Sequence, residues 1–336
     1  MKQLYLTLLL IASGIFISCI DVEERDNNNI GNFEALWSII DQKYCFFDYK
    51  GKEYGLDWNE VYTKYRPLVS DTLNELELFD LCGKMLDELR DGHVNLTSYF
   101  NTARYWDWQE NYPTNFSDTL QRRYLGTEYG MVGGLKYVVF MPDTIAYISC
   151  NSFSSGFTDN NLTYVLYLLS PAKGLIIDLR SNGGGQLTLS EKFAARFTEK
   201  KILTGYMRHK TGSGHSDFSD YEPQYLEPFD GIRWKKPVVV LTNRGVFSAA
   251  NDFVNRMKCC PNVKIVGDKT GGGSGMPFNN ELPNGWSVRF SACPMYDKDK
   301  KDIEFGIEPD YYVSLTDEDF AKGIDTIIEF ARNLLK

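Results

Sequence analysis

The sequence predicts an α/β fold with a small helical region ahead of it. Two observations carry this. From about residue 137 onward, short apolar runs such as Leu175-Ile176-Ile177 and Val238-Val239-Val240-Leu241 alternate with segments of helical period. Between Gly31 and Leu89, by contrast, apolar stripes recur at helical spacing. Runs that are apolar at every position read as strands buried on both faces, which calls for a sheet covered by helices.

The 336 residues are 43% hydrophobic and 24% charged, enough for one large or two modest domains. A net charge of -9 without a basic stripe excludes a general nucleic-acid binder. The 21 Tyr and 21 Phe read as core and sheet packing rather than as a ligand-stacking surface. With no Cys-x-x-Cys pair and only His93, His209 and His215 as histidines, a structural zinc site is not expected, nor is any cofactor.

Taken in order, the chain opens with an uncharged apolar run, Leu4 to Ile17, of the length of a signal-peptide core. It ends in Phe16-Ile17-Ser18-Cys19, which resembles a bacterial lipobox. Residues 1–19 are therefore expected to be a lipoprotein signal with Cys19 lipidated, anchoring the chain at the outer membrane of a cell envelope. A plain secretory signal is the alternative. Residues 20–30 are acidic and polar and read as a flexible tether. Of the remaining cysteines, Cys259 and Cys260 are expected as free thiols rather than as a strained vicinal disulfide.

Residues 31–98 read as a helical domain. Phe33, Leu36, Trp37, Ile40 and Tyr44 share one face; Trp58, Val61, Tyr62, Tyr65 and Leu68 repeat the pattern. A third stripe, from Leu78 to Leu89, runs into Asp91-Gly92-His93 and a strand start, which places His93 at a helix-to-strand corner. A histidine there is more often structural than catalytic. Residues 99–136 read as a linker with short strands, and 137–336 as the α/β domain.

In that domain the strand Gly174–Leu179 ends in Asn182-Gly183-Gly184-Gly185, and a helix follows from Leu187. A glycine loop before a helix can cradle a phosphate, offer backbone N–H groups to an oxyanion, or simply turn. The Lys-Ser/Thr of a phosphate loop is missing. Thr211 to Phe229 is a long polar excursion of the kind that forms a lid or rim. After the strand from Val238, Ser248 opens a helix containing Phe253, Val254 and Met257, and Gly271-Gly272-Gly273 follows the next strand. On local grounds Ser248 reads equally as an N-cap and as a nucleophile. A last helix is expected from Asp317 to Leu335, with Phe320, Ile324, Ile327, Ile328 and Ala331 on its apolar face.

The segments LDELRDGHVNL, GLIIDLRSNGGGQ, VVLTNRGVFSAANDF and VGDKTGGGSG, in this order, with GIEPDYYV near the end, resemble the S41 family of serine peptidases. That family includes the tail-specific (C-terminal processing) proteases and the tricorn core protease. The resemblance covers roughly residues 31–313 and implies a ClpP/crotonase-like catalytic domain behind the helical one. It implies Ser248 as nucleophile, with the N–H groups of Ala249 and the Gly184-Gly185 loop as oxyanion hole. Gly273 stands where the tail-specific branch has its lysine base, and Lys269 is the remaining lysine nearby. The tricorn-like branch takes a histidine at the helix-to-strand corner, which His93 matches, and a glutamate near the last motif. Glu304 is the choice for that acid, with Glu308 and Asp302 as alternatives. The stretch between Leu96 and Tyr137 is too short for the family's common PDZ domain.

The expected function is hydrolysis of peptides or unfolded proteins by a Ser-His(-Glu) mechanism. The alternatives are a non-catalytic protein that binds peptides or hydrophobic ligands, a Ser-Lys peptidase using Lys269, and a crotonase-like acyl enzyme.

Overall fold

A computed structural model describes residues 25–154 and 156–336. Cys19 and the apolar run before it lie outside the described residues.

The helical region starts with α1 (Asn29–Lys43), α2 (Phe47–Tyr54), α3 (Trp58–Tyr65) and α4 (Glu75–Asp87). Side chains supply the caps: Asn28 accepts from Gly31 N, Asp57 from Asn59 N and Glu60 N, and Asn74 with Glu77 forms a reciprocal capping box. The three apolar stripes converge on one core, in which Phe33, Leu36, Ile40, Trp58, Leu78 and Met85 are buried. Helix α2 carries no apolar stripe of its own and is not evident from periodicity.

Two short strands follow, β1 (Asn95–Thr97) and β2 (Thr102–Arg104), then α5 (Asp107–Glu110), α6 (Asp118–Leu125) and β3 (Gly130–Val132). Next come β4 (Leu135–Phe140), β5 (Ile145–Cys150), α7 (Asp159–Leu169), β6 (Gly174–Asp178) and α8 (Leu187–Ala194). The chain continues through β7 (Ile202–Met207), β8 (Glu222–Leu226), β9 (Val238–Thr242), α9 (Ala249–Lys258) and β10 (Val263–Gly267). It closes with β11 (Pro277–Glu281), β12 (Ser287–Ser291), β13 (Met295–Asp297), β14 (Tyr311–Tyr312), α10 (Asp317–Ala321) and α11 (Thr326–Leu334).

The main sheet has the order β14-β10-β9-β6-β5-β4-β3. From β14 to β5 its pairs are parallel; β3, β4 and β5 pair antiparallel. Side chains alternate between its faces. Ile177, Val240 and Ile265 face a core shared with α7, α8 and α9; Ile176, Val239 and Val266 face one shared with α11. Because β6 and β9 are parallel neighbours, the glycine loop after β6 and the turn after β9 leave the same edge of the sheet side by side. That edge is where α/β folds build their sites.

A second sheet, β11-β12-β1-β2, joins strands from both halves of the sequence. Its Leu96, Val288 and Phe290, with Leu282 and Trp286, complete the core under the N-terminal helices. The polar excursion is partly ordered as strand: β8 pairs with β7 in a third sheet, β13-β7-β8. Its tip docks on the helical region, where His215 Nε2 lies 2.8 Å from Asp41 Oδ1 and Ser216 Oγ donates to Asp48 Oδ2 at 2.8 Å. The single C-terminal helix expected from Asp317 to Leu335 is instead two, broken at Gly323 (φ 72°), and Phe320 is exposed. Cys259 and Cys260 are free thiols.

Candidate catalytic site

Buried polar side chains fix the two loops that leave β6 and β9. The Arg180 guanidinium donates to both Asp178 oxygens (2.9 and 2.7 Å) and to Asp325, the N-cap of α11 (2.9 Å). Asn182 ties the glycine loop to the serine turn: its Oδ1 accepts from Gly184 N at 2.9 Å and its carbonyl from Phe247 N at 3.0 Å. A Cβ on Gly184 would fall 2.6 Å from Phe247 O and 2.8 Å from Ser248 Cβ. Only glycine lets the loop approach the serine this closely. Gly184 N–H is committed to Asn182, while Gly185 lines the same cavity as Ser248.

Ser248 stands at φ 59°, ψ -124°, a conformation that costs a non-glycine residue about 1–3 kcal/mol. Its N–H donates to Gly272 O at 2.8 Å, which helps hold it there. It occupies the N-cap position of α9, yet its side chain makes no capping bond. The hydroxyl turns away from the helix, and Oγ lies 2.9 Å from His93 Nε2. The Ala249 N–H, in the first turn of α9, has no partner inside the helix.

His93 is buried at the corner between α4 and β1, its ring 4.7 Å from that of Phe247. Asp91 Oδ1 accepts the His93 backbone N–H at 2.7 Å, and Asn95 Nδ2 donates to the His93 carbonyl. Nδ1 is buried with no hydrogen-bond partner among the described residues. Burial pushes the imidazole pKa down to about 4; Asp91 opposes this, while Arg289, Arg104 and Lys50 add to it. The ring is therefore neutral at pH 7 and able to accept a proton.

Glu304 is buried but makes no hydrogen bond to His93. Its Oε2 accepts from Ser274 N at 2.8 Å, its carbonyl accepts from Gly273 N at 2.9 Å, and its Oε1 lies 3.4 Å from Lys50 Nζ. Burial and the nearby Asp91 raise its pKa, against the pull of Lys50. Lys50 also donates to the Leu89 and Arg90 carbonyls and lies 3.6 Å from Asp91 Oδ2. Asp302 Oδ1 accepts the Glu304 N–H at 2.9 Å. Glu308 is exposed and pairs with Lys269 at 3.0 Å. A side chain at Gly273 (φ 76°) would run into the Phe247 ring, 2.4 Å from its Cβ.

Sequence reasoning did not single out Lys50, Asp91, Asn182 or Arg289. The strongest signal missed was the placing of Asp91 and Asn182 within the very motifs quoted for His93 and Gly184. Lys50 had only an aromatic neighbourhood, Phe46-Phe47-Asp48-Tyr49, to set it apart.

Ser248 and His93 open onto a cavity of about 390 Å³, also lined by Gly185, Asn251, Arg289, Met295 and Ile303. No group of His, Cys, Asp or Glu among the described residues is arranged to hold a metal ion. A hydroxyl beside a neutral imidazole, with two free amides near it, can carry out nucleophilic attack on a carbonyl.

The chain matches the model of peptidase family S41 over residues 144–313, and that of the tricorn protease C1 domain over residues 26–87. It is 28% identical over 184 residues to the carboxy-terminal processing protease CtpA of Bacillus subtilis. That match covers 54% of this chain and 37% of CtpA, so the chain spans well under half of that relative's length. Among solved structures, a candidate peptidase from Parabacteroides merdae is 54% identical with a TM-score of 0.88, over 92% of this chain and 97% of that one. Mature CPAF, at 13% identity, shares the fold with a TM-score of 0.69 over 92% of this chain and 96% of its own.

Proposed function

The chain belongs to peptidase family S41, and from that membership we propose that it is a serine endopeptidase of the cell envelope acting on peptides or unfolded proteins. The observation that carries the reading is the 2.9 Å approach of Ser248 Oγ to His93 Nε2, made by a serine that caps nothing.

In this reading His93 Nε2 takes the Ser248 proton as Oγ attacks the scissile carbonyl. The Gly185 and Ala249 N–H groups receive the oxyanion; each such donor contributes about 2.7–4 kcal/mol to transition-state stabilisation. His93 then gives the proton to the leaving amine, and water hydrolyses the acyl-serine by the same steps in reverse. Glu304 acts here as a positioning residue. It holds the Gly273-Ser274 backbone, whose neighbour Gly272 anchors Ser248 N–H. Placement at the cell envelope rests on the lipobox-like Cys19. No helix among the described residues is long and apolar enough to cross a membrane.

Purified wild type, Ser248→Ala and His93→Ala should be compared on unfolded casein and on fluorogenic peptides, with fluorophosphonate labelling alongside. Loss of cleavage and of labelling in Ser248→Ala, with an unchanged circular dichroism spectrum, is the expected result. Undiminished cleavage by Ser248→Ala would overturn the reading.

The unpartnered His93 Nδ1 favours one rival, a peptide-binding protein without turnover. Saturable peptide binding by wild type with no cleavage and no labelling would establish that rival.

A further inference from the structure

Arg104, Asn95, Arg289 and Asn279 stand directly opposite one another across β2, β1, β12 and β11. The alternate residues Leu96, Val288 and Phe290 are buried under the N-terminal helices. Period-two alternation therefore sends both arginines to the other face of this sheet, the face bordering the cavity. Arg289 lines that cavity together with Ser248 and His93. Arg104 Nε donates to Gly92 O at 2.7 Å, and its guanidinium lies 4.0 Å from the centre of the Trp106 ring.

Neither arginine forms an ion pair among the described residues. One carboxylate on these strands shares their face, Glu281, two positions along β11, and it pairs with neither. Asp91 is committed to the His93 N–H, Tyr44 Oη and Ser291 Oγ. The two guanidiniums feel each other: burial and then Arg289 hold the Arg104 pKa down, and both lower that of His93. Asp91 attracts both guanidiniums but bonds to neither, so two like charges flanking β1, in a chain of net charge -9, lack a directly paired carboxylate and make a place for an anion.

The chemistry gives this place a side. His93 must deliver a proton to the leaving amine, so the leaving fragment lies toward His93 and away from the Gly185 and Ala249 amides. Arg104 and Arg289 sit on the strands that flank β1, the strand His93 leads into. We infer that Arg289 and Arg104 form a carboxylate-binding subsite for the leaving-group side of a peptide substrate. The inference rests on the peptidase reading. The anion is a carboxylate because an unmodified peptide carries no other at neutral pH; it comes from an acidic side chain or from the chain end, and planar guanidiniums suit either.

The test uses one peptide sequence in three forms: neutral and amidated, with a free C-terminal acid, and amidated with one glutamate after the scissile bond. Cleavage by wild type and by Arg289→Gln and Arg104→Gln is compared as ratios of kcat/KM. Binding of fluorescein-labelled versions to Ser248→Ala protein, with and without each arginine substitution, is measured by anisotropy. A charged form favoured about threefold to tenfold, with the preference shrinking in Arg289→Gln and at raised ionic strength, supports the subsite. Preference for the free acid alone assigns the chain end; preference for the glutamate alone assigns a side chain. Equal handling of all three forms, in cleavage or in binding, overturns the inference and leaves the peptidase reading intact. If nothing is cleaved, the peptidase reading fails, while the anisotropy ratios still decide whether the arginines bind a carboxylate.

Discussion

Lys50 Nζ lies 3.4 Å from Glu304 Oε1, and these residues, 254 positions apart, are both buried. The lysine also reaches the Leu89 and Arg90 carbonyls, the last backbone before the His93 corner. One cation thus links the helical region, the backbone that leads to His93 and the Glu304 side chain that holds the loop beside Ser248.

Replacing Lys50 by Met leaves Asp91 and Glu304 facing each other without a cation. Removing one partner of a buried pair costs about 3–5 kcal/mol. Urea denaturation of Lys50→Met should show a loss of that order, and kcat should fall with it. Lys50→Arg should recover part of both. A stability within experimental error of wild type would show that the cluster holds nothing together.

The acid limb of catalysis should lie unusually low. The proposed mechanism needs neutral His93, whose pKa is pushed down to about 4, chiefly by burial. As pH falls, kcat/KM should stay level through the ordinary histidine range near 6.5 and drop only near about 4. A pH–rate profile with its half-point near 6.5 would contradict this environment.

Lys269→Ala should keep its peptidase activity. The lysine pairs with Glu308 at 3.0 Å and does not line the cavity. A kcat within about twofold of wild type is expected for a side chain outside the reaction. A dead Lys269→Ala enzyme would restore the Ser-Lys mechanism.

Gly184→Ala should disable turnover more than folding. Its Cβ would press on Phe247 O at 2.6 Å and displace the glycine loop from Ser248. A fall in kcat of about a hundredfold or more is expected from misplaced oxyanion donors. Stopped-flow acylation with an activated ester reads this directly, and an unchanged rate would exclude the loop from the reaction.

Asp302 gives a prediction for stability. Burial raises its pKa from 3.8 to about 7. The folded chain then holds its proton more tightly than the unfolded chain, so this group's contribution declines as pH rises from about 4 to about 7. Asp302→Asn, whose Oδ1 can still accept the Glu304 N–H, removes that decline. Its Tm relative to wild type should climb across the same window. A difference that does not vary with pH would mean the carboxyl is not held protonated.

The sequence by itself determined the local units and the candidate pair. Apolar β-branched runs encode β6 and β9, and helical stripes encode α1, α3, α4 and α9, because burial period is written in neighbouring residues. Ser248 and His93 were legible through the order of their motifs, as was Gly184, whose lack of a side chain is itself a signal. Tertiary structure decided what touches what. Lys50 meets Glu304, Arg104 and Arg289 come to flank Asn95, and His93 Nδ1 is left without a carboxylate. Each depends on where distant segments cross. The second sheet, drawn from residues 95–104 and 277–291, makes most of those crossings. The missing cap on Ser248 has the same origin, since the strained backbone there overrides a local capping preference of about 1 kcal/mol; the break at Gly323, by contrast, is a local glycine signal.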